Sequence, residues 1–78
     1  MQVENLIAEV CKALVDHPSD VSVKKIDGEQ TIVYELKVHP ADLGKIIGRN
    51  GAMVQSIRTL LRAASPKLGK RLVLEIIE

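Results

Sequence analysis

The sequence is poor in the groups that most often advertise a function. It has one cysteine, one tyrosine, and no phenylalanine or tryptophan in 78 residues. With only Cys11, no disulfide framework can form, which fits a reducing compartment. With Tyr34 as the sole aromatic residue, an aromatic platform for stacking successive bases is excluded. No apolar run approaches the roughly 20 residues that a membrane helix needs. Residues 1–15 contain Glu4 and Glu9 and lack the basic stretch before an apolar core that marks a signal peptide. The expectation is a cytoplasmic protein with no membrane association. His17 and His39 lie in connections, without metal-ligand spacing. No Ser/His/Asp or Cys/His constellation is brought together by the pattern below. Gly69-Lys70-Arg71 is not a phosphate loop, because position 64 is Ala where that motif needs Gly and Arg follows the lysine. We therefore expect neither an enzyme nor a metal or cofactor site.

What remains is an ordinary globular composition, 46% hydrophobic and 27% charged, long enough for one small domain over residues 1–78. Net charge is only +1, but it is unevenly spread. Residues 1–40 sum to −3 and residues 41–78 to +4. An anion-binding face requires that kind of local excess.

The positive half contains Gly48-Arg49-Asn50-Gly51. A glycine at each end lets the backbone turn sharply and approach a ligand with no Cβ in the way. A helix starting just after Gly51 would point its unpaired N–H groups and its positive dipole end at that turn. Arg49 adds a full charge. Such a turn suits a phosphodiester backbone.

Periodicity supplies the scaffold. Val3, Leu6, Ile7, Val10 and Leu14 recur at spacings of three and four, predicting a helix over 2–16 that Pro18 stops. Val21 and Val23 alternate with polar residues, predicting a strand over 20–26. Asp27-Gly28 reads as a hairpin turn, since both residues tolerate positive φ. Over 30–38, Ile32, Tyr34, Leu36 and Val38 point one way and Thr31, Val33, Glu35 and Lys37 the other. Pro40 and Asp42 open a short helix over 40–46. A second runs over 51–64, with Met53, Val54, Ile57, Leu60, Leu61 and Ala64 towards the core. Gln55, Arg58 and Arg62 lie opposite. Ser65-Pro66 closes that helix, residues 67–70 form a basic loop, and residues 71–77 form an apolar strand. The order is α-β-β-α-α-β, an α+β fold. The hairpin makes the first two strands antiparallel, and the helical crossover makes the last two parallel. The result is a three-stranded mixed sheet with three helices on one face.

The run Gly44-Lys45-Ile46-Ile47-Gly48-Arg49-Asn50-Gly51-Ala52-Met53-Val54 resembles the signature of the KH domain, and the element order resembles its type II form. That module grips about four nucleotides of a single strand with its GXXG loop. The resemblance implies a groove with one wall at Lys45, Ile46, Ile47, Gly48, Arg49, Asn50, Gly51, Val54 and Arg58. The opposite wall would be Lys67, Gly69, Lys70, Arg71 and Leu72. A chain of this length is similar to the small bacterial KhpA family of RNA-binding proteins. That likeness implies single-stranded RNA as ligand and a role as an RNA chaperone or post-transcriptional regulator. It further implies self-association as a homodimer, a larger Jag-type KH partner, and a link to cell-envelope growth and cell shape. The competing expectation is a KH-fold scaffold for protein contacts, using Met53 and Leu60, with little affinity for RNA.

Overall fold

In a computed structural model, which describes residues 2–77, the chain runs α1 (Val3–Leu14), β1 (Ser22–Asp27), β2 (Thr31–Lys37), α2 (Leu43–Ile47), α3 (Ala52–Leu68) and β3 (Arg71–Ile77). Short 3-10 turns occupy Pro18–Asp20, Pro40–Asp42 and Arg49–Gly51. The sheet order is β1-β2-β3. β1 pairs antiparallel with β2, placing Val23 opposite Leu36, and β2 pairs parallel with β3, placing Tyr34 beside Leu74. The predicted fold class and element order hold.

The alternation in β2, carried one residue past its end, puts Ile32, Tyr34, Leu36 and Val38 in the core, joined by Leu72 and Leu74 from β3. The helices cover this face with Ile7 and Cys11 from α1, Ile46 from α2, and Val54, Ile57 and Leu61 from α3. Each buried aliphatic side chain contributes about 1.5–3 kcal/mol, and the core rests on these. Burial pushes the Cys11 thiol up to about 11, so it packs as a small apolar group and is not a nucleophile. Tyr34 is also buried, so the single aromatic ring has no face for a base.

Three features stand furthest from expectation. Ser65-Pro66 does not close α3, which continues to Leu68 with Pro66 inside it. Proline removes one hydrogen bond, but only two helical residues follow it, so little helix depends on the loss. The true stop is Gly69, at φ 69°, whose N–H donates to the Ser65 carbonyl at 2.9 Å. A left-handed glycine is the usual way to end a helix. Lys67 is therefore helical, and the basic loop shrinks to Gly69-Lys70. The hairpin also differs: its loop is residues 28–30, and neither Asp27 nor Gly28 has positive φ. Gly28 is fitted by closeness, since a Cβ there would lie 2.8 Å from the Thr31 carbonyl oxygen. Finally, Leu60 is not in the core. It is 57% exposed, and Leu6 is exposed as well.

Leu36→Asp places an unpaired charge where the native side chain has no exposure. The cost is several kcal/mol, comparable to the stability of a small domain. We expect no cooperative melt by circular dichroism at 25 °C. A native-like melt would put the β2 register off by one residue.

Candidate nucleic-acid interface

Residues 48–51 form one tight turn between α2 and α3. Gly48 sits at φ 77°, Asn50 at φ 55° and Gly51 at φ 76°. Asn tolerates the left-handed region far better than most side chains do. The two glycines do different work. A Cβ on Gly48 would lie 2.7 Å from the Met53 Cβ and 2.9 Å from its nitrogen, whereas a Cβ on Gly51 would meet nothing within 4 Å. Gly48 is thus required by the packing of the turn against α3. Gly51 needs only its backbone conformation and leaves open space over the start of the helix. Arg49 and Asn50 are exposed at the apex, and among the described residues Arg49 has no ion pair.

The flanking residues divide sharply. Ile46 and Val54, expected as groove residues, are core: Ile46 is wholly buried beneath α2 and Val54 nearly so. They support the turn from below and offer no surface. Ile47 is the apolar residue of this wall that reaches solvent. Lys45 is exposed, but its Nζ donates to Asp16 Oδ2 at 2.8 Å and lies 3.9 Å from Asp42 Oδ1. The Asp16 carboxylate holds its pKa above the ordinary lysine value.

The second wall is an open concavity of about 970 Å³ between α3 and β3. Gly69, Lys70, Arg71 and Leu72 line it as expected, whereas Lys67 does not, and Arg58, expected on the first wall, lines it too. Lys70 is largely spent within the chain. Its Nζ donates to the Gly28 carbonyl at 2.8 Å and pairs with Asp27, whose carboxyl it holds below the usual range. Arg58 and Arg71 have no ion pair among the described residues.

Sequence reasoning placed Asp42 at the start of α2 but passed over the contacts by which it anchors that helix. Asp42 is buried at the helix start and accepts from the Asp16 N–H at 3.2 Å and the His17 N–H at 3.0 Å. It also accepts from the His17 ring Nδ1 at 3.0 Å. The His17 ring stacks on His39, with centroids 4.0 Å apart, and His39 Nδ1 accepts the Ala41 N–H at 3.0 Å. Burial alone would push the Asp42 carboxyl up, but the bonds from His17 and the backbone outweigh it and hold the pKa below normal. The Pro40-x-Asp42 helix start was visible in the sequence. Its partners, some 25 residues away, were not. Among the described residues no cluster of three His, Cys, Asp or Glu is placed to hold a metal ion, and no helix is long and apolar enough to cross a membrane.

Residues 4–76 match the family model for the KH domain of KhpA and KhpB. The chain is 51% identical over 72 residues to the RNA-binding protein KhpA of Caldanaerobacter subterraneus subsp. tengcongensis, covering 92% of this chain and 96% of that one. It is 47% identical over 75 residues to KhpA of Aquifex aeolicus, covering 96% and 95%. Among solved structures, Era of Aquifex aeolicus superposes with a TM-score of 0.66 at 20% identity, covering 95% of this chain and 29% of that one. The likeness to Era concerns the fold alone.

Two expectations follow from the turn and its anchor. Gly48→Ala, strained in φ and in collision with Met53, should lower Tm by more than Gly51→Ala, which carries only the left-handed cost of about 1–2 kcal/mol. Equal melting shifts would mean the Gly48 contact relaxes freely. Asp42 and Asp27, both with lowered pKa values, contribute stability that is complete above about pH 4. It is lost as pH falls through the depressed folded values. Asp42→Asn should lower Tm at pH 7 by at least about 5 °C and flatten the acid side of the Tm–pH curve. An unchanged acid limb would remove Asp42 from this role.

Proposed function

The chain belongs to the KhpA/KhpB KH-domain family, and from that premise we propose that it is a single-stranded RNA-binding protein of the cytoplasm, acting as one KH unit. Its Gly48–Gly51 turn takes the phosphates, and the face of α3 and β3 beside it takes the bases. The observation that carries this reading is the turn itself. It combines an exposed Arg49 and Asn50, an unobstructed Gly51 and a rigid Gly48 packed on Met53. Arg49 can donate two N–H groups to one phosphate. Ile47, Arg58, Arg71 and the β3 edge extend the contact surface, while Lys45 and Lys67 supply charge at its margins. The naming of its relatives as RNA-binding proteins supports the same reading.

With no aromatic stacking, one such site binds modestly, and useful affinity comes from joining sites. This favours a role in which RNA is bound and released, as in a chaperone or post-transcriptional regulator, with cell-envelope growth as an eventual output. One observation favours association. Exposed Leu6 and Leu60 border a small apolar cleft of about 60 Å³ between α1 and α3. A second copy of this chain, or a larger Jag-type KH protein, would cover that face and set two RNA sites together. Light scattering distinguishes monomer from dimer. Leu60→Asp should leave the fold intact and abolish association.

The central test replaces Arg49 and Asn50 together with Asp. Both glycines remain, and Asp tolerates the left-handed position that Asn50 holds. Melting temperature and association should stay near wild type. A phosphate would meet two carboxylates in place of a guanidinium, so RNA affinity should fall at least about tenfold, or roughly 1.4 kcal/mol. If a folded variant binds RNA like its parent, the turn is only a helix connector and the scaffold reading takes its place.

A further inference from the structure

The concavity beside β3 has a third wall, the tip of the β1–β2 hairpin. Glu29 and Gln30 line it together with Arg58, Arg62 and Arg71. The tip is fastened in place. The Arg71 N–H donates to the Gln30 carbonyl at 3.0 Å, and Lys70 ties Asp27 and the Gly28 carbonyl to the α3–β3 turn. Backbone groups and Lys70 thus hold the loop, and the exposed Gln30 side chain is left for other work.

Charge on this surface is unbalanced. Arg58 and Arg62 are four residues apart on one face of α3, an arrangement of like charges that disfavours a helix unless something compensates it. Neither has an acidic partner among the described residues, and Glu29 is the single acid lining the concavity. An anion seated between the two guanidinium groups would relieve that repulsion. A glutamine amide has both a donor and an acceptor edge, which is what reading a base requires. Arg58 lies seven residues beyond Gly51, or about 10 Å of helix, within reach of a strand gripped at the turn.

We propose that the hairpin tip closes the groove into a second nucleotide compartment. Arg58 and Arg62 take a phosphate there, and the Gln30 amide contacts the edge of the adjoining base. The inference rests on the single-stranded RNA reading above, but its parts fail separately.

The test uses eight-nucleotide single-stranded RNAs, titrated by fluorescence anisotropy against Arg62→Gln, Gln30→Ala and the double Asp variant of the turn, all with wild-type melting curves. Arg62→Gln should weaken binding about threefold to tenfold and make the slope of log K against log salt shallower by about 0.7. Gln30→Ala should leave that slope unchanged and alter the ranking of oligo(A), oligo(C), oligo(G) and oligo(U). Arg62→Gln binding as the parent does overturns the compartment, whatever Gln30→Ala does. If the turn variant then still loses affinity, the main reading stands without it. If Arg62→Gln weakens binding and Gln30→Ala leaves the ranking intact, the phosphate contact stands and the base contact falls. If Arg62→Gln weakens binding while the turn variant does not, the compartment stands and the turn loses its role.

Discussion

The approach of Gly48 to Met53 sets the geometry on which the rest depends. A Cβ on Gly48 would lie 2.7 Å from the Met53 Cβ, so the site admits no side chain. The backbone of α2 therefore turns directly against the first turn of α3. Ile46 is driven into the core just before the turn and Val54 just after it, so both ends of the short segment are nailed down. What lies between them has nowhere to go but outward. Arg49 and Asn50 are exposed because their neighbours are buried, and Asn50 takes a left-handed conformation to keep the chain short. Pre-organisation of this kind lowers the entropy lost on binding.

A second anchor acts from the other side of α2. That helix has only five residues, too few to be stable by itself. It persists because Asp42 pins its start to the α1–β1 connection through two backbone N–H groups and the His17 ring. Lys45, one turn on, is drawn to the same connection through Asp16. The turn is therefore held at one end by a steric constraint and near the other by a buried carboxylate. Both constraints fix backbone, which suits the phosphate contact proposed for the turn.

Much of this was legible in the sequence. The period-two alternation of β2 named its buried residues correctly, and the glycine spacing located the turn. Local signals failed where tertiary contact decided the outcome. Leu60 has the same apolar character as Leu61, yet the helix rolls it outward because Leu61 and Ile57 already fill the sheet-facing side. Ser65-Pro66 resembled a stop, but the left-handed Gly69 governs where the helix ends. Ile46 and Val54 satisfy the motif's apolar positions, yet a motif does not say which side of the backbone faces the ligand. The Asp42 and Lys70 contacts join residues far apart in sequence, and no local pattern encodes such pairs.

Those long-range pairs change the electrostatic account. The positive half of the chain holds seven basic groups, but Lys45 and Lys70 are engaged with Asp16 and Asp27. Of the remainder, Arg49, Arg58, Arg62 and Arg71 are arginines and only Lys67 is a lysine. Lys45 and Lys70 serve the fold, and the four arginines are left without ion pairs among the described residues. Arginine presents a planar fork of donors that matches a phosphate, where a lysine offers a compact, strongly hydrated charge. With a net charge of +1, the protein exerts little long-range attraction, so association gains little from steering. On the reading proposed above, affinity then comes from contact, through a few arginines held at fixed positions on α3, β3 and the turn. The few phosphate contacts proposed for such a site would give only a modest dependence on salt. Joining two such sites multiplies the affinity without a new contact in either groove.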